Sequence, residues 1–81
     1  MRKTFVLSIE DAMGIVWTTG SVIRERVLWS REPRWTVTWE RGTFTFYGFK
    51  GKLVRKLKEC IRDTEGAYKG CRFILGTGVK Q

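Results

Sequence analysis

Histidine is absent from this chain, proline occurs once and cysteine twice. No other side chain ordinarily titrates near neutrality, so general acid–base catalysis has no evident agent. Two cysteines without histidine are too few for a tetrahedral zinc site, and no metal centre is expected. Cys60 and Cys71 are read as buried thiols, since nothing suggests export; whether they are bridged stays open. No apolar run approaches the ~20 residues that span a bilayer. The stretch from Phe5 to Ile9 is too short for a signal-peptide core, and Glu10 and Asp11 follow it. A cytoplasmic protein without a membrane segment is therefore expected.

Acid is scarce as well: 8 Asp and Glu stand against 16 Lys and Arg, for a formal net charge of +8. The acids form no catalytic pair. Glu10 and Asp11 are neighbours in a turn, Glu59 and Asp63 lie on a polar helix face, and Glu25, Glu32 and Glu40 are scattered. Cys60 falls near a helix C-terminus, where nothing lowers a thiol's pKa. The expectation is a non-enzymatic protein without a cofactor.

What is present is apolar and aromatic: 42% hydrophobic residues, 14% aromatic, in 81 residues. That describes a single small folding domain (1–81), with residues 76–81 as a flexible tail. The stretch from Trp35 to Arg62 organises the rest. Trp35, Val37 and Trp39 alternate with Thr36 and Thr38, and Phe44 and Phe46 alternate with Thr45 and Tyr47, which is the period of half-buried strands. A turn at Arg41-Gly42 would pair Trp39 with Phe44, Val37 with Phe46 and Trp35 with Gly48, apolar with apolar. Beyond Phe49 the period lengthens. Leu53, Val54, Leu57, Cys60 and Ile61 form the stripe of an amphipathic helix over 52–64, closing near Gly66.

Residues 3–9 read as a first strand, 14–17 as a brief second, 18–21 as loop, 22–29 as a third long strand and 71–75 as a last one. With Trp29 set against Trp35, the core face takes Ile23, Val27, Trp29, Trp35, Val37, Trp39, Phe44 and Phe46, and Glu25 is a misfit near an edge. The fold class is α+β: an antiparallel sheet of four to five strands with one amphipathic helix packed on one face. The strand–strand–strand–helix order is similar in plan to small nucleic-acid-binding folds, including the positive-cofactor type of single-strand binder.

The opposite sheet face would carry Arg24, Arg26, Thr36, Thr38, Thr45 and Tyr47 without a carboxylate. The junction Gly48-Phe49-Lys50-Gly51-Lys52 leads from strand to helix, where backbone N–H groups and glycines admit phosphate. Its GFKG resembles the clamp of KH domains, though those join two helices. The run Lys50, Lys52, Arg55, Lys56, Lys58 contains no acid. Five such phosphate contacts would give a log–log salt slope of about −3.5 on single strands. Trp17, Tyr47, Phe49 and Tyr68 are the rings left for base stacking. The expected function is binding of nucleic acid, single-stranded DNA or RNA, by Arg24, Arg26, Tyr47, Lys50, Lys52, Arg55 and Lys56. The alternative is a viral or accessory factor that docks on and inhibits an acidic host protein. Oligomeric state is open, a dimer being possible.

Overall fold

The computed structural model describes residues 2–76, and the α+β class holds: five antiparallel strands and one helix. In chain order these are β1 (Arg2–Glu10), β2 (Val16–Glu25), β3 (Arg34–Trp39), β4 (Gly42–Tyr47), α1 (Lys50–Arg62) and β5 (Arg72–Gly76). The sheet order is β4-β3-β2-β1-β5, so β4 and β5 are its edges. Gly76 ends β5 rather than opening a tail, and the rest of the predicted tail, 77–81, lies outside the described residues.

The β3–β4 hairpin is displaced by two residues from the predicted register. Trp39 pairs with Gly42, Val37 with Phe44 and Trp35 with Phe46, so Glu40 and Arg41 form the turn. Gly42 has φ +136°, a conformation that suits glycine. The period of two leaves the faces unchanged by such a slide, which is why alternation alone could not fix it. The observed register sets threonine against threonine. Thr43 Oγ1 donates to Thr38 Oγ1 at 3.3 Å and Thr45 Oγ1 to Thr36 Oγ1 at 3.4 Å. It also gives Trp35 a ring opposite it, and the Trp35 indole N–H donates to Gly48 O at 2.8 Å.

β2 corrects the reading of residues 14–29 more deeply. The predicted brief strand, the loop at 18–21 and the start of the next strand are one element, bent by an irregularity in its pairing with β1 at Leu7/Ser8, where Thr19 has no partner. It stops at Glu25, which pairs with Arg34, and Arg26 to Pro33 form a long connection. The faces are exchanged as a result: Val22, not Ile23, joins the core, and Trp29 is 73% exposed. The misfit at Glu25 disappears. Glu25 lies on the open face, where it accepts from Arg34 at 2.9 Å. Turning Val22 inward puts Arg24 on the apolar side, but only at the sheet's end, where its guanidinium rests 6.0 Å from the Trp35 ring centre.

The core is Leu7, Ile9, Val22, Trp35, Val37, Trp39 and Phe46 from the sheet, with Leu53 and Leu57 from α1. Each fully buried side chain of this kind contributes roughly 1.5–3 kcal/mol. The helix starts two residues earlier than predicted and ends at Arg62. Thr64 Oγ1 donates to Ile61 O at 2.7 Å, and Glu65 and Gly66, both at positive φ, reverse the chain. Both cysteines are free and half-buried, and burial raises the Cys60 thiol pKa. Among the described residues no helix is long and apolar enough to cross a membrane.

Candidate nucleic-acid interface

The topology sorts charge by sheet end. β1 starts, β2 ends, β3 starts, β4 ends and α1 starts at the same end. Among the described residues that end carries Arg2, Lys3, Arg24, Arg26, Arg31, Arg34, Lys50 and Lys52, followed on α1 by Arg55 and Lys56, against only Glu25 and Glu32. The other acids, Glu10, Asp11, Glu40, Glu59, Asp63 and Glu65, belong to the opposite turns and the last turn of the helix.

At the basic end the strands align Lys3, Arg24, Trp35 and Phe46 as one cross-strand row. Alternation along each strand places these four on the apolar side. Three cations lie on rings there. Lys3 Nζ is 5.9 Å from the Phe5 ring centre, Arg24 is over Trp35, and Lys56 Nζ is 5.9 Å from the Phe46 ring. Phe5 and Trp35 are themselves 6.4 Å apart. Such contacts hold each cation's stem while leaving N–H donors free for an anion. Lys52 Nζ donates to Tyr47 O at 3.0 Å, which fixes it beside the strand-to-helix junction.

The seven predicted residues therefore share one end but not one face. Arg24 rests on Trp35 and Lys56 on Phe46, Lys52 is held at Tyr47 O, and Lys50 and Arg55 are exposed on α1. Tyr47 sits on the open face opposite Arg34, whose charged form is favoured first by its hydrogen bond to Glu25 and then by Tyr47. Arg26 is exposed in the β2–β3 connection. The open face is not free of carboxylate, because Glu25 lies on it.

Of the two exposed rings at this end, sequence reasoning expected Phe49 and missed Trp29, which it placed in the core. Trp29 belongs to the connection Arg26–Pro33, beside a fully exposed Leu28, and Phe49 at the start of α1 is 60% exposed. The two segments are tied, since Gly48 N–H donates to Pro33 O at 3.1 Å. The signal was present: the misplaced Glu25, with Ser30 and Pro33 soon after, announces a strand that stops before Trp29. Lys3 and Arg31 were also passed over, since only the topology brings them to this end.

Trp17 and Tyr68 are occupied instead at the far end. Glu40 accepts from Trp17 Nε1 at 3.0 Å and Thr19 Oγ1 at 2.8 Å, and Tyr68 O–H donates to its other oxygen. These bonds, Tyr68's first, hold the Glu40 carboxyl below its ordinary pKa, and the same contact raises that of Tyr68. A depressed glutamate stabilises the fold above its unfolded pKa, and that contribution is lost as pH falls through the folded value. Glu40→Gln should cost about 1 kcal/mol at pH 7, after allowing for solvent access. It should also flatten the fall in Tm that the wild type shows below about pH 4.3. Thermal melts followed by circular dichroism across pH check both.

No family model, curated protein or solved structure matches this chain.

Proposed function

We propose that this protein is a non-enzymatic binder of single-stranded nucleic acid, and that its basic end is the contact surface. The observation that supports this reading is the collection of free cations and two exposed rings at an end whose acids, among the described residues, are Glu25 and Glu32. Phosphates would lie along Lys3, Arg24, Lys50, Lys52, Arg55 and Lys56, with Arg26 reaching from the β2–β3 connection. Trp29 and Phe49 offer planes for unpaired bases, at roughly 1–3 kcal/mol per stacked base. In this reading α1 is an amphipathic cover on the apolar side of the sheet, and its first turn faces the strand. That turn has no acid, and its cap residue Phe49 makes no side-chain cap bond, so a phosphate there would favourably oppose the helix dipole.

Titration with fifteen-nucleotide oligo(dT) and oligo(U), followed by tryptophan fluorescence, tests the reading. Quenching of the exposed Trp29 is expected. So is an affinity that falls with salt at a log–log slope of about −4 to −5, as for six or seven phosphate contacts. No binding at about 20 mM salt, below screening by a short Debye length, would sink it.

A second reading has one feature in its favour. Leu28, fully exposed beside Trp29, suits a protein pocket better than a nucleotide strand. The partner would then be an acidic host protein that this factor occupies and inhibits. Affinity capture with and without nuclease separates the two: a nucleic-acid partner is lost on digestion and a protein partner is retained.

A further inference from the structure

An apolar groove of about 430 Å³ runs between α1 and the edge strand β5. Val54, Leu57 and Ile61 line one wall, Phe73 and Leu75 the other. Lys50, Lys58 and Arg72 stand among its lining residues, and no carboxylate does among the described residues. Arg72 shares Glu10 in an ion pair of 2.6 Å, whereas Lys50 and Lys58 make no ion pair among the described residues. Val54 remains 43% exposed, so part of the helix's apolar stripe has nothing over it. Beside this wall, β5 presents an edge that no described strand pairs. Alternate backbone N–H and C=O groups of such an edge point outward and unpaired.

We infer that this groove takes an extended peptide of another protein, added to β5 as a sixth strand, with alternating apolar residues and acidic residues flanking them. The three observations converge on that occupant. An added strand satisfies the outward backbone groups of β5. Its period of two sends every second side chain to the apolar side, onto Val54 and Ile61. The uncompensated Lys50 and Lys58 select carboxylates at its ends. The same charges disfavour a second copy of this chain, whose own edge would bring matching lysines and a net charge of +8 against them. This surface is separate from the one proposed for nucleic acid, save for Lys50 at its rim.

Selection of displayed random twelve-residue peptides against the whole protein tests the inference. The selected sequences are expected to alternate apolar residues and to carry Asp or Glu at their flanks. On binding, amide exchange should slow in β5 and the Val54 and Ile61 methyl signals should move. Val54→Asp should abolish peptide binding and Lys58→Glu weaken it about fivefold to tenfold. The uncharged Val54→Ser should weaken peptide binding and leave oligo(dT) affinity unchanged, so that loss of one activity is read apart from the other. Selected peptides that lack acids, or that bind without slowing β5 exchange, overturn the inference. So does a selection yielding none while a long-chain fatty acid anion shifts Val54 and Ile61, since the groove would then serve an amphiphile.

Discussion

Gly20→Ala is expected to remove a large part of the stability of the fold. A Cβ at this position would lie 1.8 Å from Thr38 O, 2.7 Å from Thr38 C and 2.8 Å from Trp39 Cα. All three are backbone atoms of β3 or its end, so no side chain can swing aside. Relief would require β3 to move, and β3 carries Trp35, Val37 and Trp39 of the core. Gly20 follows Thr19, the residue left unpaired where β2 bends against β1, and that bend is what brings the two backbones together. A loss of about 3 kcal/mol or more is expected, the upper range for forced overpacking. A chain this long has a total of roughly 4–12 kcal/mol. The fall in Tm should exceed about 12 °C. Gly51→Ala is the matched control. Nothing lies within 4 Å of its Cβ and it sits in α1, so it should be neutral or stabilise by up to about 1 kcal/mol. Urea and thermal unfolding of the two variants measure the contrast. Equal stabilities would mean that β2 and β3 do not approach as described.

The triple variant Lys50→Glu, Lys52→Glu, Lys56→Glu is expected to lose at least about 100-fold in affinity for oligo(dT) at low salt. Removal of three phosphate contacts should also reduce the salt slope by about 2. Its stability should not fall in parallel, which separates binding from folding. Glutamate in the first turn of α1 opposes the helix dipole less than lysine does, a gain of about 0.3–1 kcal/mol per site. Against it stand the Lys52 bond to Tyr47 O and the Lys56 contact with Phe46, each of comparable size. Fluorescence titration and a thermal melt on the same sample decide the matter. Unchanged affinity would leave the fold standing and remove the nucleic-acid reading.

The sheet hairpin and the helix were legible because each has a period of its own and residues that suit it. Trp35, Val37 and Trp39 fall on the buried side as the alternation requires, and Leu53 and Leu57 are buried at helical spacing. What alternation cannot carry is phase. The run from Val22 to Trp29 reads well on either face, and the choice that put more apolar residues inside also put Glu25 inside. One carboxylate outweighs such a count, because burying it unpaired costs more than burying Trp29 gains. The basic run on α1 was legible as composition. Its convergence with Lys3, Arg24 and Arg31 was not, since it depends on which strand ends share a side of the sheet. The Glu40 cluster was invisible for the same reason: its partners come from β2 and from the segment before β5.

The division of charge between the two ends of the sheet makes the molecule an electric dipole. A polyanion's field exerts a torque on it before any contact forms, turning the lysine- and arginine-rich pole forward. Encounters would therefore be orientationally biased, and the rate of association, more than the lifetime of the complex, should respond to ionic strength once the Debye length falls to about 8 Å.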